Sequence, residues 1–223
     1  MDERRERWAG MLLAAARRSL PGWASGPDAP DGAEGSPERA AYVAGFRDDL
    51  GTRRALDVLV VSAVLGIEPP LGEGTNAGRA AERAWRAAGG PAHLAGDAMR
   101  EALPSLAASG PLAPEHREEG IEAWTEQELA CLHALERVAI ASKDAGLLAR
   151  SLDAVRWHLE YLQPDNGTNR TWGIGAFVRE GSPEALLHAE TMLHACQMER
   201  GRADVVSAWL LLDAARGLRA LGA

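Results

Sequence analysis

Residues 125–163 read TEQELACLHALERVAIASKDAGLLARSLDAVRWHLEYLQ, and the reading of this stretch decides the fold. Apolar residues recur in it at three- and four-residue spacing, the signature of amphipathic helices rather than strands. The pattern predicts one helix over 125–142, opened by the capping box Thr125-Glu-Gln-Glu128, and a second over 145–163. Two further periodic segments follow, 182–198 with Ser182-Pro-Glu as its N-cap signature, and 203–221. The C-terminal half is therefore expected as four helices in two antiparallel hairpin pairs.

Outward from this block the same logic holds. An amphipathic helix is expected over 3–18, and a Gly-, Pro-, Asp- and Ser-rich linker over 21–36. Ser36-Pro37-Glu38 opens a helix running towards Leu50. Residues 54–65 are apolar almost all round. They read as a buried helix or, given Val58, Val60, Val61 and Val64, a buried strand. Shorter helices are expected over 77–88 and 93–108, with loops over 109–119 and 164–181. The expected class is all-α, in four parts: an N-terminal helix (1–20), a linker (21–36), a helical region (37–120) and the C-terminal block (121–223).

Composition narrows the function. Of 223 residues 46% are hydrophobic and 25% charged, enough for a sizeable core. The 24 basic against 32 acidic residues give a net charge of −8, which argues against nucleic acid and anionic lipid as partners. No run of about 18 apolar residues marks a membrane span. Cys131 and Cys196 lack a disulfide framework and no secretory leader is visible, so the expected compartment is the cytoplasm. Phosphate loops, dinucleotide fingerprints, serine-hydrolase elbows and Cys-x-x-Cys pairs are all missing from the sequence.

The remaining chemistry concentrates late in the chain. On a helical wheel His158 falls on the core face of 145–163, with Leu147, Leu148, Val155, Leu159 and Leu162. Asp165, Asn166, Arg170 and Trp172 follow and offer a carboxylate, an amide, a guanidinium and an indole. They either line a polar pocket or make an ordinary turn with Trp172 plugging the core. Glu190 and His194 stand four apart on a helix, as a metal-binding pair or a solvent-side pair. Asp213 falls among apolar residues and needs a partner, either Arg216 or, across the hairpins, His158. Glu128, Glu136 and Glu160 read as surface acids, and His93, His116 and His133 show no convergent partners.

The segment Leu159-Glu-Tyr-Leu-Gln163-Pro-Asp165-Asn-Gly167, running on to Trp172 between helical hairpins, resembles the repeat of α/α-toroid proteins of the terpenoid-cyclase and prenyltransferase class. Those repeats end a helix with Gln and follow it with an Asp-Gly or Asn-Gly turn and a Trp. Here the Trp comes several residues late, and the Asp-x-Asp-Asp motif is absent. The resemblance implies stacked helical pairs, a bundle or a partial toroid, and carries over no catalytic residue.

Two functions are expected from this reading. One is a binding or protein-interaction module, for a protein partner or a small molecule, contacting it near 158–178 through Trp172, Tyr161 and Phe177. The other is a hydrolase or lyase using a divalent metal held by His158, Asp165, Glu190 and His194. There His158, Asp165 and Asp213 would be catalytic and Asn166, Arg170 and Trp172 would hold substrate. A homodimer built through the N-terminal helix is a third reading.

Overall fold

Alanine-rich segments with few β-branched residues, punctuated by Gly and Pro, fold into ten α-helices among the described residues, with no strand. The computed structural model describes residues 3–24, 37–70, 78–162 and 170–222. Most of the expected linker, the Ser36 cap and the turn containing Asp165 and Asn166 lie outside them. The helices are α1 (Glu3–Arg17), α2 (Pro37–Gly45), α3 (Ala55–Leu65), α4 (Ala80–Ala88), α5 (Ala92–Ala102), α6 (Ile121–Ser142), α7 (Ala145–Tyr161), α8 (Ile174–Glu180), α9 (Pro183–Met198) and α10 (Val205–Ala220). Short 3₁₀ turns at Gly22–Ala24, Pro104–Ala107 and Pro114–Glu119 join them.

The valine-rich segment is α3, a helix. All its residues from Leu56 to Leu65 are buried, so packing on every side outweighs the weak strand preference of its valines. Gly66 ends it in the left-handed conformation, donating its N–H to the last carbonyls. Ser182 caps α9 as expected, accepting from the Ala185 N–H at 3.2 Å. The capping box does not form. Helix α6 starts at Ile121 after Gly120, and Thr125 is buried within it. The expected loop 164–181 also needs correction, because its second half is α8, buried from Ile174 to Val178.

Helix pairing differs from two sequential hairpins. Helices α6 and α7 do pair, and α6 also packs on α4, α5, α8 and α10. Helix α9, however, packs on α8 and α7, while α10 packs on α1, α3, α8 and α6. The reason is the all-round apolar surface of α10, buried from Val206 to Ala215, which one neighbour cannot cover. The most extensive of all helix contacts joins α1 to α10, burying Trp8, Leu12 and Ala16. One continuous cluster of buried apolar side chains runs from Trp8 to Leu218. Among the described residues no helix is long and apolar enough to cross a membrane.

Cys131 and Cys196 are both unpaired and buried. Burial pushes the Cys196 thiol up to about 12 and raises Cys131 well above the ordinary thiol range. Since the thiolate is the reacting species, neither is expected to take up iodoacetamide at pH 8 in the folded protein. Intact-mass measurement should show no adduct natively and two in urea; rapid native labelling would contradict the packing.

Candidate functional site

A polar interruption of the core lies between α3, α6, α8 and α10. Helix α6 is buried on nearly all sides, so polar residues in its interior cannot reach bulk water and must find partners in other helices. His133, Glu136 and Arg137 do so around a cavity of about 510 Å³. Val64, Leu65, Ile140, Trp209 and Leu218 supply apolar wall, and Asp213 and Arg216 of α10 supply charge. Gly173, Gly175 and Ala176 bring the start of α8 to the same cavity.

Asp213 is the centre of the polar wall. It pairs with Arg137, whose other terminal nitrogen donates to the Ala63 carbonyl at 2.6 Å, and it lies 3.5 Å from His133 Nε2. Burial works to raise its pKa, but Arg137, His133 and Arg216 outweigh burial and hold the carboxyl below its ordinary range. His133 Nδ1 accepts from the Gly173 N–H at 3.1 Å, which leaves Nε2 to carry the proton towards Asp213. Gly173 adopts φ +68 there, and a Cβ would stand 3.0 Å from Leu132 Cδ2, so glycine is required where α8 begins. Glu136 is equally committed, accepting from Arg179 Nε and Nη2 at 2.7 Å each and from Ser151 at 2.9 Å.

The residues singled out from sequence are placed differently. His158 is fully buried on the core face, as the wheel requires, but its partner is Glu128 and not Asp213. Glu128 Oε2 accepts from His158 Nε2 at 3.1 Å and from the Leu112 N–H at 2.7 Å; Oε1 accepts from the Ala113 N–H at 2.7 Å and Trp124 Nε1 at 3.2 Å. Glu128 and Glu136 are thus buried acids, not surface ones. His133 and His116 also have partners, the latter accepting the Ala80 N–H at 3.0 Å and meeting Glu119 at 2.7 Å. Arg170 grips the fully buried Asp57 through two nitrogens, at 2.5 and 3.0 Å. Burial nevertheless keeps Asp57 above the ordinary carboxylate range, against the pull of Arg170.

Trp172 has zero exposure, its ring tilted by 56° at 6.2 Å from that of Trp85, and Phe177 is buried too; of the three expected anchors only Tyr161 is exposed. Glu190 and His194 are exposed on α9, away from the buried His158. Among the described residues no three His, Cys, Asp or Glu side chains are placed to hold a metal. Asp165 and Asn166 lie outside those residues.

No family model, curated protein or solved structure matches the chain. The sequence reading missed this site because its polar residues come from α6 and α10, and Asp213 and Arg137 are 76 residues apart. A usable signal existed: Glu136-Arg137 interrupts an apolar run, with Ala134 and Leu135 before it and Val138, Ala139 and Ile140 after it, where burial demands partners.

Proposed function

We propose that the chain is a binding module whose ligand is a small organic molecule held between α3, α6, α8 and α10, with the end of the 158–178 segment forming one wall. The observation that carries this is the commitment of the wall's polar groups. Both ring nitrogens of His133 are engaged, Asp213 is matched by Arg137, and Glu136 by Arg179. A group acting as general base needs a nitrogen or oxygen free to take a proton from substrate, whereas these fix the shape of a largely apolar chamber. Its volume is that of pockets for small ligands. The same reading places the protein in the cytoplasm, supported by two unpaired buried thiols. The toroid-like segment adds no residue to it.

Saturable binding of the neutral dye N-phenyl-1-naphthylamine, followed by its fluorescence, tests the reading. Ala141 lies exposed at the cavity rim, so Ala141→Phe should block entry without disturbing the core. One-to-one binding to the parent chain and at least a tenfold loss in the variant are expected. Absence of saturable binding, or equal binding to both, would overturn the proposal.

A further inference from the structure

We infer that the cavity's ligand is an amphiphilic carboxylate, its head group paired with Arg216 and its apolar body against Val64, Leu65, Ile140, Trp209 and Leu218. This rests on the cavity being a ligand site and adds the chemistry of what it takes.

The argument is a balance of charges on one wall. Three guanidinium groups line the cavity, those of Arg39, Arg137 and Arg216, together with two carboxyl groups, those of Glu136 and Asp213. Glu136 is matched by Arg179, which approaches it from outside the cavity lining, and Asp213 is matched by Arg137 with His133 alongside. Arg39 already has a partner. Arg216 is left with one long hydrogen bond, Nη1 to the Val64 carbonyl at 3.4 Å, and no carboxylate of a described residue within 4 Å. It is half-buried on α10. Arg216 also contributes to holding Asp213 ionised, which places its charge beside the polar wall rather than out in solvent.

A half-buried guanidinium with a weak partner is a fork open to a planar, bidentate acceptor, the geometry a carboxylate offers. One incompletely matched cation calls for one negative charge, which favours a monoanion over a phosphate dianion. Beyond it the wall is aliphatic and aromatic, and binding there gains from burying an apolar body. The competing account is that Arg216 only caps the last carbonyls of α3, where the helix dipole favours a positive charge. The two differ in what removal of the guanidinium does to binding.

Displacement of the naphthylamine dye by decanoate, decanol and decylamine, three probes sharing one tail, separates them. Decanoate should displace the dye at concentrations at least tenfold below decanol, with decylamine weakest. Arg216→Gln should bring decanoate to the level of decanol, and Arg216→Lys should restore part of the preference. Thermal melts of both variants check that they fold. Equal displacement by decanoate and decanol in the parent chain, or a preference for decanoate that survives Arg216→Gln, overturns the carboxylate assignment and leaves the cavity reading standing. Failure of the dye to bind at all overturns the cavity reading itself.

Discussion

Replacing Glu128 by alanine is expected to destabilise the protein by about 4 kcal/mol, the largest effect of any single carboxyl group among the described residues. Four donors converge on that side chain, and all belong to buried groups. Two are the backbone N–H groups of Leu112 and Ala113, which lie between α5 and α6 and cannot turn to water without moving the chain. The third is Trp124 Nε1. The fourth is His158 Nε2, whose ring has no hydrogen-bond partner at Nδ1 among the described residues and would lose its remaining contact. Glu128→Gln keeps the shape but turns an amide N–H₂ towards donors, so roughly half that cost is expected. Against a total stability of about 5–15 kcal/mol for a domain, the alanine variant sits near the threshold of unfolding. Urea unfolding measures the difference, with Glu122→Ala, an exposed acid of the same helix, as a control within about 0.5 kcal/mol. Hydrogen exchange at Leu112 and Ala113 should quicken before that of α6. A cost under about 1 kcal/mol for Glu128→Ala would mean that the four bonds are not what holds this connection.

The second large effect belongs to Asp213. Asp213→Ala leaves the Arg137 guanidinium and the His133 Nε2–H facing each other without an acceptor between them. Breaking a buried pair from one side costs about 3 kcal/mol or more at neutral pH. The pH dependence follows from the direction of its shift. Because the folded-state pKa lies below the unfolded value of roughly 3.9, the stabilisation from Asp213 is complete above that value. It is lost as pH falls through the folded-state pKa. Wild-type urea midpoints should therefore fall on acidification below about pH 4, and Asp213→Asn should flatten that fall while lowering stability at pH 7. Equal acid slopes in the two chains would show that Asp213 does not differ in proton affinity between folded and unfolded states.

Much of this architecture could be read from residue spacing, and the limits are physical. Helix class and approximate position follow from periodicity, because the same three- and four-residue rhythm that makes an apolar face also sets the backbone. The buried side of His158 and Asp213 follows for the same reason. Which helix covers which face does not follow. Helix α10 is apolar on every side, so its wheel points to no particular neighbour, and it settles against α1, α3, α6 and α8 rather than against α9. Partner identity is the other gap. Glu128 and His158 are 30 residues apart, and Asp213 and Arg137 are 76 apart, so each carboxyl group showed its need for a partner without showing which one. Of the two partners the spacing offers Asp213, Arg216 does act on it, though only from a distance, and His158 belongs to Glu128. Trp172 read equally well as an anchor or a plug, because an indole's size favours contact in either setting.

The packing of α1 against α10 has a consequence in time as well as in space. Glu6 of α1 pairs with Arg219 of α10, 213 positions along the chain, at 2.8 Å. During synthesis, Trp8 and Leu12 emerge long before α10, the surface that will cover them. The α1 stripe must therefore wait until α10 has been made. Closing so long a loop is a slow step, because its entropy is lost before the contacts that reward it exist. Helices α4 to α7, whose neighbours lie close in sequence, can assemble during that wait, so this part of the core is completed by docking α1 onto α10.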